Sequence, residues 1–120
     1  LDTSQNATFA GTVSDSKGDL RDIPKNSKTS AYTLIASDAG KLVDNQSGGW
    51  TVPNSVFSAG KAITLLNNSA SDQTITQGSG VTIYNAADGT TGNRTLATRG
   101  MATLYFVNAS EAYISGAGLT

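Results

Sequence analysis

From Ser30 to the end of the chain, short runs of alternating apolar and polar residues recur roughly every 8–12 residues, separated by breaks rich in Gly, Asn, Ser and Asp. Alternation with a period of two sends one set of side chains inward and the next outward, so each run is a half-buried strand. The runs are 32–36, 41–44, 50–52, 62–67, 73–77, 81–85, 94–98, 101–108 and 112–115. No segment keeps a helical period for more than a turn or two. The strand after Trp50 stops at Pro53, which has no N–H to give a ladder and suits a strand end or an edge. "QTITQ" and "VTIYN" alternate strictly across a Gly-Ser-Gly break and read as a hairpin.

Between the first two runs stands "SDAGK", Ser37 to Lys41. Ser37 is a helix-capping residue type and Gly40 a terminating one, so a single tight turn is expected there. Asp38 is placed to accept backbone N–H bonds within it. Such a turn changes the chain's direction without a long loop.

Gly, Ser, Thr and Asn make up roughly two-fifths of the 120 residues, well above the usual share. Disorder is argued against by low charge and by Val, Ile, Thr, Tyr and Phe recurring throughout. The expected fold is all-β: a jelly-roll-like β-sandwich of about eight to ten short strands behind an extended N-terminal arm. Residues 1–29 form the arm and 30–120 the sandwich domain. In the arm, 8–13 reads as a strand, "SDSKGD" as a turn, and Phe9, Val13, Leu20 and Ile23 as its sparse large apolar residues. An arm this lean buries little alone, so those four residues are expected to meet copies of themselves in a homotrimer. The start at Leu1 rather than Met reads as a fragment or a processed product.

The formal net charge is -1, and eight Lys and Arg are scattered without a cluster. Nucleic-acid binding requires a basic stripe, and a membrane-surface helix a basic amphipathic segment; the sequence has neither. With no Cys and no His, disulfides, thiolate chemistry and the commonest general base are excluded. Eight of the nine acids are Asp, and those at Asp15, Asp19, Asp72 and Asp88 sit in turn contexts. "DSKGD" offers too few acids for a calcium loop. Neither an enzyme, a cofactor nor a metal site is expected. The longest polar loop, "AADGTTGN" with Arg94 after it, groups Asp88, Thr90, Thr91, Asn93 and Arg94 as candidate ligand contacts. "NQSGGW" adds Asn45, Gln46 and Trp50, while Trp50 or Tyr84 could supply an aromatic face for a sugar. Burial of so large a ring is the competing role for Trp50.

Three longer stretches resemble a known family: "YTLIASDAGKLVDN", "WTVPNSVFSAGKAITLLNNSASDQTITQGSGVTIYN" and "ATLYFVNASEAYISGAG". They are similar to the C-terminal β-domain of bacteriophage tail-fibre-like and virion appendage proteins, including cyanophage types. The resemblance covers about residues 22–120, through motifs at 33–41, 51–53, 57–63 and 74–83. It departs in the last strand, where such domains often carry Trp and this chain has Tyr113. The resemblance implies a non-enzymatic component at the virion surface, commonly a homotrimer, joined to other virion proteins through its arm. Its expected role is a fibre or spike tip binding a host cell-surface glycan. The alternative is a head fibre or capsid decoration protein.

Overall fold

The computed structural model describes residues 5–120; the first four residues of the expected arm lie outside the described residues. The chain is all-β, about 49% strand and 3% helical, with a nearly closed sheet. Eleven strands follow in order: β1 (Ser14–Asp15), β2 (Gly18–Asp19), β3 (Lys25–Lys28), β4 (Tyr32–Thr33), β5 (Leu42–Asn45), β6 (Trp50–Val52), β7 (Ala62–Asn67), β8 (Gln73–Gln77), β9 (Thr82–Asn85), β10 (Arg94–Asn108) and β11 (Glu111–Leu119). A single 3₁₀ turn, Ala36–Asp38, falls within the expected tight turn.

The pairing differs from a jelly roll, which is built from antiparallel neighbours. Here β3, β5 and β7 stack in parallel, so Lys25, Leu42 and Thr64 lie side by side. β4, β6 and β8 also stack in parallel, through Tyr32, Trp50 and Ile75. The chain therefore winds in coils, each adding one strand to each of two layers that face one core. Val43 lies beside Leu65, and Leu65 beside Ala102. With Trp50, Val52, Ile75, Leu104 and Phe106, they belong to one continuous apolar cluster.

The expected hairpin of "QTITQ" with "VTIYN" does not form. β8 pairs with β6 and β10, while β9 pairs in parallel with β11. The Gly-Ser-Gly break instead carries the chain round a corner of the coil. Gly78 donates its N–H to Val52 O at 2.9 Å. A Cβ on Gly78 would lie 2.4 Å from that same oxygen, so only glycine permits the approach.

β10 and β11 close the stack. Residues Arg94–Leu96 pair antiparallel with β8, and Met101–Tyr105 pair antiparallel with β7. One strand thus joins both layers, bending where Arg99 adopts φ 59° just before Gly100. The runs expected at 94–98 and 101–108 are two halves of this strand.

The opposite end is closed by polar groups. Asn26 stands beside Val43 in the ladder, and its Nδ2 donates to Asp38 Oδ1 at 2.9 Å and to Tyr32 Oη at 3.2 Å. Tyr32 Oη donates to Asp38 Oδ2 at 2.7 Å, and the Ile35 N–H donates to the same oxygen at 2.9 Å. The tight turn is thus held by the Asp38 carboxylate, whereas the Ser37 side chain does not cap it. Burial, followed by the bond to the Asp38 carboxylate, pushes the Tyr32 hydroxyl up to about 12.

The main sheet reaches back to Lys25, across the expected boundary at residue 29/30. Its edge strand reads Lys-Asn-Ser-Lys, and charged residues on so short an edge discourage pairing with a stray strand. Residues 8–13 form no strand. The expected turn is present as the β1–β2 ribbon, pinned where Lys17 Nζ donates to the carbonyls of Ser37 and Ala39.

Candidate functional site

The loop after β9 brings together the five residues that its sequence nominated. Asp88 Oδ1 accepts the Thr90 N–H at 2.9 Å and the Thr90 hydroxyl at 2.7 Å, forming a local Asx turn. The Thr90 hydroxyl, then its backbone N–H, hold the Asp88 carboxyl below its ordinary 3.8. Arg94 folds back over the loop: Nη1 donates to Thr90 Oγ1 at 2.9 Å, Nη2 to Thr91 O at 2.9 Å, and Nε to Asn93 O at 3.0 Å. Asn93 Oδ1 accepts the Gln77 N–H at 2.8 Å, tying the loop to β8.

Gln77, a strand residue by its pattern alone, organises this region. Its Oε1 accepts the Ile83 N–H at 2.7 Å and the Gly92 N–H at 3.2 Å, joining both ends of the loop. A signal was available: Gln77 shares the inward phase of Ile75, where a polar side chain needs a buried partner. The loop is exposed but internally bonded. Its rim of threonine hydroxyls and carbonyls can contact a polar ligand, while the Arg94 guanidinium is largely committed to holding the loop's shape.

The second candidate group divides. Gln46 is exposed, but Asn45 and Trp50 are 0% and 1% exposed and present no face to a ligand. Asn45 is a corner residue of the coil. Its Nδ2 donates to Ser30 O at 2.9 Å and Gly49 O at 2.8 Å. In the next coil Asn67 occupies the neighbouring ladder position, and its Nδ2 donates to Leu96 O at 2.9 Å. Gln73 links the two corners: Nε2 donates to Asn45 O at 2.9 Å and Asn67 Oδ1 at 2.7 Å, while Oε1 accepts the Gly49 N–H at 2.9 Å. Gly49, with φ +68°, lets this corner turn against Thr74 O, which would stand 2.1 Å from a Cβ. Trp50 follows directly and packs in the core, its indole Nε1 buried without a hydrogen-bond partner.

Of the arm residues, Phe9, Leu20 and Ile23 are 67%, 60% and 73% exposed, and Val13 is partly buried. Phe9, Val13 and Leu20 line one open concavity of about 910 Å³. Among the described residues, no group of three or more His, Cys, Asp or Glu side chains could hold a metal ion. Among those residues, too, no helix is long and apolar enough to cross a membrane. Comparison with protein-family models, curated proteins and solved structures found no match.

Proposed function

We propose that the chain is a non-enzymatic structural protein of a bacteriophage virion: a homotrimeric tail-fibre or spike tip module that binds a host cell-surface glycan. The observation that carries this reading is the exposure of Phe9, Leu20 and Ile23 on an arm anchored to an otherwise well-packed body. Large apolar side chains projecting together from a narrow arm are suited to meet their copies round a three-fold axis. The 52 × 30 × 23 Å molecule would then point its arm toward the rest of the virion.

Three linked copies would turn weak individual glycan contacts into firm attachment by avidity. The reading involves no cofactor, metal, nucleic acid or membrane insertion. Its site is the loop's exposed rim of threonine hydroxyls and backbone carbonyls, held in shape by Asp88 and Arg94.

Sedimentation equilibrium of the full chain should give a trimer, and Phe9→Ser combined with Ile23→Ser should give a monomer with the same β-sheet circular dichroism. A monomeric wild type would remove the trimer from the proposal. Fluorescent wild-type protein should label bacteria of a susceptible strain, and periodate oxidation of the cell-surface sugars should abolish the labelling. Labelling that survives periodate would exclude a glycan receptor.

A further inference from the structure

The outer face of β10 and its neighbours is a second polar-aromatic surface, separate from the loop. On β10, Leu104 and Phe106 are buried while Thr103, Tyr105 and Val107 alternate outward. The ladder sets these outward residues in rows. One row runs Ala62, Tyr105, Tyr113 and Tyr84 across β7, β10, β11 and β9. The adjacent row is Thr64, Thr103 and Ser115, and the next is Leu66, Met101 and Ala117. Tyr105 and Tyr113 are 49% and 42% exposed. The rings of Tyr84 and Tyr113 stack with centroids 5.0 Å apart, and the Thr64 and Thr103 hydroxyls lie 3.0 Å from one another. Across β7, β10, β11 and β9 these rows hold no Lys, Arg, Asp or Glu; beyond β7 the Thr64 row continues to Leu42 and Lys25, and the Leu66 row to Asp44 and Ser27.

We infer that this face is the platform on which a neutral polysaccharide lies. The inference rests on the glycan-binding reading above and moves its site from the loop to the sheet. Tyrosine rings offer a sugar's weakly positive C–H groups a negative π face, while their hydroxyls remain free to bond its hydroxyl groups. The adjacent Thr and Ser row adds further donors and acceptors along the same line. Strand ladders on both sides of β10 hold the row rigid, so little freedom is lost on binding.

Charge and size select this occupant. A nucleic acid would need a stripe of cations, whereas these rows offer Lys25 alone, at the far edge on β3. A second copy would need more area: even with β5 and β3 included, five strand spacings by six residue rises give a face of about 24 by 20 Å, or about 480 Å² per copy. Two such faces together bury about 960 Å², below the roughly 1,200 Å² of a stable protein contact. Face-to-face packing would also press two hydroxyl rows into a dry interface. An uncharged oligosaccharide fits both the footprint and the hydroxyl groups.

The test is an NMR titration of the full chain with neutral hexasaccharides derived from cellulose, starch and mannan, with a sulfated hexasaccharide as control. Saturable shifts of the amides at 82–85, 103–107 and 111–115, with a neutral sugar only, are expected. Tyr113→Ala and Tyr105→Ala should each weaken binding by up to about ten-fold. Tyr113→Phe should retain most of the affinity, and Ser16→Ala, at the exposed β1–β2 turn, all of it. Shifts confined to 86–94, with both alanine variants binding normally, would overturn the sheet site and leave glycan binding intact. A wild type unmoved by every neutral sugar would overturn both. Face amides that shift on protein dilution and ignore sugar would assign the surface to contact between copies and overturn the inference.

Discussion

The corner at Asn45, Asn67 and Gln73 and the loop from Ala86 to Arg94 are both held by polar side chains, yet occupy opposite environments. In the corner, the three residues are buried and their side-chain amides bond to backbone carbonyls inside the fold. In the loop, Asp88, Thr90, Thr91 and Asn93 are exposed, and their bonds compete with water. A hydrogen bond contributes little net stability at the surface, but a buried donor or acceptor left without its partner costs about 1–3 kcal/mol. The corner therefore specifies how the coils stack, whereas the loop can vary without disturbing the fold.

The largest effect should come from removing the ring that follows the corner. Trp50→Ala should cost about 3–5 kcal/mol in urea unfolding, because a fully buried aromatic leaves a cavity. A loss below about 1 kcal/mol would mean that the second coil is not packed as described. Gln73→Leu comes next. It strands the Gly49 N–H and takes one of two bonds from both Asn45 O and Asn67 Oδ1, so a loss of about 1–3 kcal/mol is expected. A value no larger than a surface mutation's would erase the contrast between the two regions.

Tyr32→Phe tests the polar end of the stack. The folded-state pKa of Tyr32 is raised from 10.0 to about 12, so its contribution is complete below pH 10 and is lost as pH rises through about 12. The wild type should lose stability across that window more steeply than the phenylalanine variant, measured by chemical denaturation at successive pH values. Equal slopes would show that the hydroxyl is not buried against Asp38.

The smallest effect belongs to the loop. Asp88→Asn should leave the urea unfolding midpoint unchanged. In the wild type the carboxyl is held below 3.8, so its local stabilisation is present above that pH and fades as pH falls through the lower folded-state value. The Thr90 amide resonance should report this titration, and Asp88→Asn should abolish it. A large global loss would make the loop part of the core architecture.

Much of the strand content was legible from alternation: β6, β7 and β8 begin and end where the residue pattern indicates. Pro53 marks the end of β6, and Gly40, with φ +79°, follows the tight turn. Gln73 and Gln77 carried a signal of another kind, as polar residues in the phase of buried Ile75. The outward tyrosines of β10 and β11 were visible only as alternating positions. Their union with Tyr84 depended on which strands became neighbours.

Local residue chemistry determined that this chain is all-β, where most of its strands lie and where its turns fall, because φ/ψ preference and period-two alternation act within a few residues. Strand partners were decided only by the tertiary structure. "QTITQ" and "VTIYN" are short alternating strands of the same kind, and nothing within either distinguishes a hairpin partner from a parallel neighbour a coil away. Burial made that choice: stacking Tyr32, Trp50 and Ile75 in one layer, with Asn45 beside Asn67 at the corner, satisfies the core and the buried amides together. Those contacts arise between residues far apart in sequence, so their free energy becomes available only when the coils close on one another.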